Sequence, residues 1–493
     1  MSVSMRCDSL TRELEHLLIQ LLTMEPKGFR PNDYNSGAYN PHDDDDSMNK
    51  AFTIFKTREY KGCKFVDVPL FFGRFFSVNC KIPLLRSPIY PQRGYQFTGR
   101  LDMKGREYQQ NIVNEALEHL KTYKTTLIAA HPGAGKTVMG AAVGSLVAKH
   151  PVAIIIHLEL LISQWRNTFS DHTDAKVYTI GERDNKCTIE EANVYLVMDQ
   201  RTKHIPENIL YQIGTVIVDE AHRFCTAARA LSLLKFRPQY LILLSATPKR
   251  QDGLHSVLHA FAGEHSIIKK YDNPFHVYCV HTSLTPVREQ GYKGNVNFTK
   301  LSQSLMYSDV RNLYICHLVL KNPSKKILIL IKEKKHVDIL SGMLTELGIR
   351  NACMRGSDKS YVDSPVLIGT VAKIGTAFDE SSFAQGFNGK RLELLIMAVF
   401  YRDPAVIEQN VGRVLRASAP NIIYLLDNDS ICDRHWAVFR RWAQNNQGTQ
   451  SGFMLNLPNM AQEMKDFGKE HIEKVKKSGG KRIIVKRDEI VLK

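Results

Sequence analysis

From about residue 105 onward, short apolar segments alternate with segments whose apolar residues have helical spacing. The first set of candidate strands lies at 125–130, 152–158, 194–198, 215–219 and 240–245. The second set lies at 326–331, 366–370, 392–399 and 421–427. Such alternation favours parallel sheets with helices packed on both faces. The predicted fold class is therefore α/β, with two parallel-sheet domains in tandem and a small N-terminal region.

The domain boundaries follow from these two sets. We predict an N-terminal accessory region at 1–100, a first α/β domain at 101–272, a junction at 273–302, a second α/β domain at 303–446 and a basic C-terminal tail at 447–493. The junction is predicted because residues 271–300 are rich in Asp, Asn, Pro, Gly and Thr. The tail is predicted to be flexible at its Lys-rich run, 474–482.

The N-terminal region has mixed character. Residues 10–23 have helical apolar spacing, which predicts a helix. Residues 64–76 are rich in strand-forming residues, and the acidic run at 40–50 is interpreted as a solvated linker. This region is therefore interpreted as a small accessory domain.

Composition limits the partners and the compartment. The 493 residues carry a formal net charge of +16, which favours an anionic partner such as nucleic acid, although a generally basic surface would give the same excess. The nine cysteines form no C-x-x-C pair, so a reducing compartment is expected rather than a disulfide framework or a zinc site. Charges interrupt the first apolar stretch, and no apolar run approaches the about 18 residues of a membrane span. We expect a soluble intracellular protein with no membrane partner and no obligate oligomer.

The segment AHPGAGKT, residues 130–137, lies between a predicted strand and a predicted helix. Two glycines allow its backbone to curl so that N–H groups point at phosphate oxygens, and the following helix adds its positive end. Lys136 can reach the β- and γ-phosphates, and the Thr137 hydroxyl can bind Mg²⁺. The alternative is a Gly-rich turn with a surface lysine. The predicted phosphate site comprises His131, Pro132, Gly133, Ala134, Gly135, Lys136 and Thr137.

A second acidic motif, TVIVDEAH at 215–222, complements this loop. Four β-favouring residues lead to Asp219 at the carboxyl end of a strand, where its carboxylate can hold Mg²⁺ directly or through water. Glu220 can then orient and deprotonate an attacking water. The alternative is an ordinary acidic pair at a strand end. With the phosphate loop, the pair predicts a nucleoside-triphosphate hydrolase.

The two motifs together resemble those of the superfamily 2 helicases that carry an Asp-Glu-Ala-His sequence. Further resemblances follow in the order of the family: REYQQ at 106–110, SQW at 163–165, LSATP at 244–248, GTVAKIGTAFDES at 369–381 and QNVGRVLRA at 409–417. The resemblance covers about residues 100–445 and implies two tandem RecA-like domains. His157 stands where many members have proline, and SQW resembles the end of a motif on the nucleic-acid path.

The resemblance implies a role for several residues of the first domain. Gln109 would read adenine. His222 would link the nucleotide site to the Ser-Ala-Thr segment, where Ser245 and Thr247 couple hydrolysis to domain movement. Trp165 could contact nucleic acid, but a buried aromatic side chain is the favoured interpretation.

Four residues of the second domain are implicated in the same way. Arg413 and Arg416 belong to the arginine-bearing motif, and both are predicted to face one site from a helix and to act as arginine fingers. Gln409 belongs to the same motif and is assigned, like His222, to coupling. Asp379 is expected near the nucleotide.

Within the superfamily, KIGTAFD and GRVLRA most resemble the XPB-type DNA helicases and the helicases of large DNA viruses, including the poxvirus transcript-release helicase. RNA helicases of the DEAD-box and DEAH-box groups usually end the last motif in G-R-x-G-R, which this chain lacks. The resemblance thus implies an ATP- and Mg²⁺-dependent DNA helicase or translocase.

The alternatives left open are an RNA helicase, a duplex-DNA translocase that separates no strands, and a nucleotide-binding regulator that hydrolyses nothing. The viral resemblance favours a viral protein of the host cytoplasm, nucleus or virion, with the transcription machinery as a further partner.

Overall fold

The computed structural model describes residues 1–26, 51–85, 88–91, 93–102, 106–147, 151–250, 252–271, 273–291, 296–375 and 378–454. The acidic run at 40–50 and the Lys-rich run at 474–482 lie outside these ranges. The chain forms two compact units, Met1–Lys269 and Lys270–Lys493. No helix within the described ranges is long and apolar enough to cross a membrane.

The N-terminal part of the first unit contains a small antiparallel sheet. Its strands and helices are β1 Ser2–Arg6, α1 Arg12–Leu21, β2 Thr23–Met24, β3 Phe52–Thr53, β4 Lys56–Tyr60, β5 Cys63–Pro69 and α2 Leu70–Cys80. Strand β5 lies between β1 and β4, and β2 pairs separately with β3. The predicted helix at 10–23 is confirmed as α1.

The prediction that 64–76 is rich in strand is only half right, because β5 ends at Pro69 and α2 begins at Leu70. Proline lacks the N–H that would continue a strand ladder, and it is well tolerated where a helix begins. Helix α2 then packs closely on the sheet at Gly73, where a Cβ would lie 2.2 Å from Cγ2 of Val3.

The N-terminal sheet shares a hydrophobic core with the rest of the first unit. Met5, Val68 and Phe76 belong to the same buried cluster as Leu233 and Phe236. Polar contacts also connect the N-terminal sheet with the segment that follows Leu233. The Ser2 backbone N–H donates to Phe236 O over 2.7 Å, and Arg237 Nη2 lies 3.4 Å from Asp67 Oδ1. The N-terminal sheet is therefore built into the first unit.

The main sheet of the first unit has seven parallel strands: β6 Thr125–Ala130, β7 Val152–Ile156, β8 Val177–Thr179, β9 Val194–Met198, β10 Thr215–Val218, β11 Tyr240–Ser245 and β12 Ser266–Lys269. Their order is β12-β6-β11-β10-β7-β9-β8. The helices are α3 Gln109–Tyr123, α4 Lys136–Leu146, α5 Glu159–His172, α6 Glu207–Leu210, α7 Ala227–Leu233 and α8 Ser256–Ala262.

Strands β6, β7 and β10 are buried along their whole length, as expected for a parallel sheet covered on both faces. Strand β11 lies between β6 and β10. Because the carboxyl ends of parallel strands meet at one edge, the segments after β6, β10 and β11 lie close together.

The second unit also contains a seven-stranded parallel sheet, of order β15-β17-β14-β19-β20-β13-β21. The strands are β13 Phe275–His281, β14 Ile327–Ile331, β15 Asn351–Met354, β16 Tyr361–Val362, β17 Val366–Thr370, β18 Ala384–Gln385, β19 Leu394–Met397, β20 Asn421–Leu426 and β21 Gly448–Met454. The helices are α9 Phe298–Met306, α10 Asp309–Leu320, α11 Lys334–Glu346, α12 Val371–Ile374, α13 Glu380–Phe383, α14 Pro404–Val411 and α15 Ser430–Asn445. Strands β16 and β18 pair apart from the main sheet.

Two segments expected outside the second domain join this sheet. Strand β13 lies within the range expected as a junction, and β21 within the range expected as a tail. Strand β21 has few apolar residues, and its pairing depends on backbone hydrogen bonds to β13 together with His276. The two ring nitrogens of His276 lie 2.7 Å from the hydroxyls of Thr449 and Ser451. A hydrophobic pattern alone could not reveal this edge strand.

A buried ion pair organises the carboxyl edge of the second sheet. Arg311 and Asp427 are fully enclosed, with Arg311 Nη2 3.0 Å from Asp427 Oδ2. Arg311 Nη1 also donates to Ala398 O over 2.9 Å, and the Thr282 hydroxyl donates to Asp427 Oδ1. A buried charge needs such compensation. The pair thereby joins α10 to the ends of β13, β19 and β20.

Candidate nucleotide and metal site

The phosphate loop follows β6 and leads directly into α4. Gly133 and Gly135 both have φ of 86°, a left-handed conformation that glycine adopts without a Cβ clash. Gly135 is the N-cap of α4, so the free N–H groups of that helix open at the loop. Lys136 Nζ lies 2.8 Å from Ala130 O, which places the ammonium group over the loop. This geometry suits a phosphate.

The loop is braced from both sides. On one side, the His131 N–H donates to Lys269 O over 3.1 Å. On the other, Gln109 Nε2 donates to Ala134 O over 2.9 Å, and Gln109 is only 2% exposed. A Cβ on Gly135 would lie 2.3 Å from Gln109 Nε2, so this glycine is needed for the contact as well as for its φ. Gln109 therefore lies directly against the phosphate loop.

Asp219 follows β10 and is buried. Its Oδ2 accepts a hydrogen bond from Trp165 Nε1 over 2.8 Å, and its Oδ1 accepts one from the Glu220 N–H over 2.9 Å. Burial and then the neighbouring Glu220 raise the pKa of Asp219 to about 6, while Trp165 and Lys136 oppose the rise. A bound cation would favour the charged carboxylate.

The available donors fit Mg²⁺. The Thr137 hydroxyl and the Asp219 carboxylate are hard oxygen ligands, and Mg²⁺ is commonly held by one or two carboxylates together with substrate phosphates and water. The structure shows no cluster of three or more acidic, histidine or cysteine side chains in its described ranges that could hold a metal by itself. The two oxygen donors Thr137 and Asp219 suit a cation whose remaining ligands are nucleotide phosphates and water.

Glu220 has an unusual backbone for a non-glycine residue, with φ of 48° and ψ of 51°. Such conformations cost energy and cluster at functional sites. Its Oε2 is buried and has no hydrogen-bond partner within the described ranges, although His222 Nδ1 lies 3.5 Å away. A carboxylate oxygen held in this way can accept a proton from water.

A short chain of hydrogen bonds leads from this turn to β11. His222 Nδ1 lies 3.1 Å from Ser245 Oγ, which accepts a hydrogen bond from the Thr247 N–H over 3.1 Å. Burial holds the pKa of His222 well below its usual value, so the ring is neutral near pH 7. The expected link between the acidic motif and the Ser-Ala-Thr segment therefore exists as a direct contact.

Arg250 reinforces this link, and the sequence analysis did not identify it. Its Nη1 donates to His222 O over 2.9 Å, while its Nε lies 3.0 Å from Asp252 Oδ1. Arg250 follows the Ser-Ala-Thr-Pro segment closely, and this proximity was the only available sequence signal.

The arginine motif lies in the second unit, after α14. The prediction that both arginines lie on a helix is wrong, because α14 ends at Val411 and 412–416 form turns. Gly412 caps the helix, and tighter hydrogen bonds follow, such as Arg413 N–H to Asn410 O over 3.3 Å. Gln409 lies within α14 itself.

Both arginines nevertheless face the same segment. Arg413 donates to Phe378 O and Gly375 O, each over 2.7 Å, and Arg416 pairs with Asp379. Thr376 and Ala377, which belong to the motif at 369–381, lie outside the described ranges.

Asp379 is engaged by two cations of its own unit. Arg391 Nη1 lies 3.2 Å from its Oδ1, in addition to the pair with Arg416. Burial alone would raise the pKa of Asp379, but Arg416, Ser381 and Arg391 together hold it well below its usual value. Asp379 is therefore ionised and fixes Arg416. Arg391 was missed because it lies in a loop outside every motif.

The SQW segment lies on α5 and contacts the nucleotide site. Trp165 is fully buried, as favoured from the sequence, and its indole meets Asp219. Gln164 Nε2 donates to Thr137 Oγ1 over 3.1 Å. The resemblance placed this segment on the nucleic-acid path, and no spacing in the sequence indicates either contact. His157 directly follows β7 and is partly buried, and this desolvation, with the nearby Arg223, lowers its pKa to about 3.

The structure thus gathers the first-unit predictions at one sheet edge and brings Arg413, Arg416 and Asp379 together in the second unit. Comparison with known proteins gives this arrangement a context. Residues 102–250 match the family model described as type III restriction enzyme, res subunit. Putative helicase 161L of Invertebrate iridescent virus 6 is 28% identical over 389 residues, spanning 73% of this chain and 84% of the relative. The chain is an ATP-hydrolysing enzyme of the helicase type.

Other helicases show weaker similarity. Putative helicase 055L of Frog virus 3 is 26% identical, spanning 67% of this chain and 75% of its own. DNA 3'-5' translocase XPB2 of Sulfurisphaera tokodaii is 24% identical, spanning 38% and 43%.

Among solved structures, a variant of Dbp5 from S. cerevisiae bound to RNA and ADP BeF3 has a TM-score of 0.50 and 14% identity. It spans 73% of this chain and 93% of the Dbp5 chain. This likeness concerns the fold alone and confirms the two tandem RecA-like domains.

Proposed function

We propose that this helicase-type enzyme is a DNA helicase or translocase driven by ATP and Mg²⁺. One observation carries the proposal. Thr137 of the phosphate loop and Asp219 at the end of β10 are both held by α5, beside a Glu220 carboxylate oxygen that has no hydrogen-bond partner within the described ranges. The phosphate loop and the residues that we propose as metal ligands and base thus lie at one sheet edge.

The hydrolytic step follows from these positions. Lys136 and the N-terminal N–H groups of α4 bind the phosphates. Thr137 and Asp219 would hold Mg²⁺, which neutralises developing phosphate charge. Glu220 takes a proton from the attacking water. Arg413 and Arg416 are proposed to act from the second unit on the same nucleotide, with Arg416 stabilising the transferring phosphoryl group.

The proposed coupling uses the hydrogen bonds that connect His222 with Ser245 and Thr247. A change at Glu220 on hydrolysis would reach β11 through His222, because Ser245 and Thr247 belong to the same hydrogen-bonded group. Arg250 would carry the same change through His222 O. Movement of the Ser-Ala-Thr segment is therefore proposed to follow the state of the nucleotide.

The net charge supports a nucleic-acid substrate, and two further observations favour DNA. The net charge of +16 favours a polyanion. The GRVLRA motif resembles that of the XPB-type DNA helicases, and one relative is described as a DNA translocase. The viral relatives support a viral setting. The resemblance to the poxvirus transcript-release helicase is the basis for proposing that the enzyme remodels transcription complexes there.

A substrate panel tests this proposal. Phosphate release should be slow without polymer and should be stimulated by DNA more than by RNA of equal length, at one fixed salt concentration. Lys136→Ala serves as the control for contaminating ATPase. Stronger stimulation by RNA would favour an RNA helicase, and no hydrolysis at all would favour a regulator. Strand displacement measured beside triplex displacement then separates a helicase from a duplex translocase.

Nucleotide preference tests the role proposed for Gln109. We propose that its amide, lying against Ala134, reads the adenine edge. Gln109→Ala should therefore weaken ATP binding while leaving GTP binding nearly unchanged, so that the preference for ATP is lost and binding of the phosphates is largely kept. Gln110→Ala is a matched control, because the Gln110 side chain is exposed and bonds to Asn114 of the same helix. If the wild type hydrolysed ATP and GTP equally well, Gln109 would have no role in recognising adenine.

A further inference from the structure

Two consecutive residues of α5 each hold one of the oxygen ligands assigned to Mg²⁺. Gln164 Nε2 donates to Thr137 Oγ1 over 3.1 Å, and Trp165 Nε1 donates to Asp219 Oδ2 over 2.8 Å. Thr137 belongs to α4, whereas Asp219 follows β10. One turn of a third element therefore fixes two groups that are far apart in sequence.

Packing locks the indole in place. The ring of Trp165 stacks on Phe169 one turn later in α5, with 5.7 Å between centroids. The ring edge also approaches α4 at Gly140, where a Cβ would lie 3.1 Å from Trp165 Cη2. Because Gly140 leaves room for the ring and Phe169 supports it, the indole N–H has a fixed direction toward Asp219.

These contacts leave the ligands free to bind a cation. A hydroxyl oxygen has two lone pairs, so Thr137 Oγ1 can accept from Gln164 and still offer one pair to a metal. Each Asp219 oxygen accepts one hydrogen bond, Oδ1 from Glu220 and Oδ2 from Trp165, and each retains further acceptor capacity. The donors orient the ligands without competing for all their lone pairs.

We propose that Gln164 and Trp165 are positioning residues for Mg²⁺, acting through Thr137 and Asp219. The inference rests on the proposed function, in which those two residues hold the metal. Partners that orient metal ligands typically contribute 10- to 100-fold in metal affinity, so a loss of about that size is expected when either donor is removed. Nucleotide binding without metal should not change, because neither residue is assigned to the phosphates.

The experiment measures ADP affinity by calorimetry on the full chain, in EDTA and across a Mg²⁺ titration. In Trp165→Phe, the Mg²⁺ concentration for half-maximal enhancement of ADP binding should rise about 10- to 100-fold. Affinity in EDTA should equal that of the wild type. Trp442→Phe is a matched control, because the buried Trp442 indole N–H has no hydrogen-bond partner within the described ranges.

Gln164→Ala provides a second test that does not disturb the core, because Gln164 is exposed. It should raise the Mg²⁺ requirement in the same direction, whereas Ser163→Ala on the same exposed turn should leave it unchanged. An unaltered Mg²⁺ requirement in both variants, or an equal loss of affinity with and without Mg²⁺, would overturn the inference alone. If the affinity of the wild type for ADP did not depend on Mg²⁺, the metal site of the proposed function would be wrong, and the inference would fail with it.

Discussion

Replacing Arg416 with alanine should reduce nucleic-acid-stimulated ATP hydrolysis by about 10³-fold or more, the range over which arginine fingers act. In the proposed mechanism the guanidinium stabilises charge on the transferring phosphoryl group and not the bound substrates, so ATP binding and DNA binding should persist. Arg416→Lys should rescue little, because an ammonium lacks the planar fork. The measurement is the ratio of DNA-stimulated to basal phosphate release.

The ion pair with Asp379 supplies a matched control for this prediction. Arg416 and Arg391 both contact Asp379, but only Arg416 belongs to the arginine motif. Arg391→Ala removes a cation from the same carboxylate and should keep most of the stimulation. If Arg416→Ala retained wild-type stimulation, Arg416 would have no part in hydrolysis and the proposed two-unit motor would fail.

Glu220→Gln should slow turnover by at least about 10²-fold, because an amide cannot accept the proton of the attacking water. Glutamine keeps the length of the side chain, and Lys136 and Thr137 remain to bind nucleotide, so ATP affinity should stay near that of the wild type. Single-turnover phosphate release and nucleotide binding, measured on one preparation, separate the two effects.

The control for the base is Glu191→Gln. Glu191 is exposed and accepts hydrogen bonds from Thr188, away from the phosphate loop, so its neutralisation should not affect turnover. Near-normal hydrolysis by Glu220→Gln would mean that another group activates the water.

The sequence predicted those strands whose burial makes them continuous apolar runs. Strands β6, β10 and β17 appear where their hydrophobic patterns placed them. Strand β21 did not have such a pattern, since it joins the sheet through backbone hydrogen bonds and His276. A continuous apolar pattern indicates a strand that is buried on both faces of a sheet. The formation of an edge strand such as β21 depends instead on hydrogen bonds to the neighbouring strand, which its own sequence does not reveal.

The candidate site shows the same division. Lys136, Asp219 and Glu220 were identifiable because phosphate and metal chemistry requires particular residues at fixed positions after a strand. Trp165 and Arg391 act on other side chains through tertiary contacts, and no local spacing encodes such a contact. The end of α14 was not predictable from the sequence either. Arg413 and Arg416 were therefore expected on a helix, although they lie in turns beyond α14.

The shared core of the first unit bears on how this enzyme can be divided and how it melts. Leu233 and Phe236 lie in one buried cluster with Met5, Val68 and Phe76, so removing the first 85 residues would expose apolar surface on the ATPase half. A motor trimmed to begin near residue 100 would carry an aggregation-prone patch. Heat should accordingly disrupt the N-terminal sheet and the phosphate-loop domain in one cooperative transition. The N-terminal segment would then be an integral part of the folding unit that carries the phosphate loop.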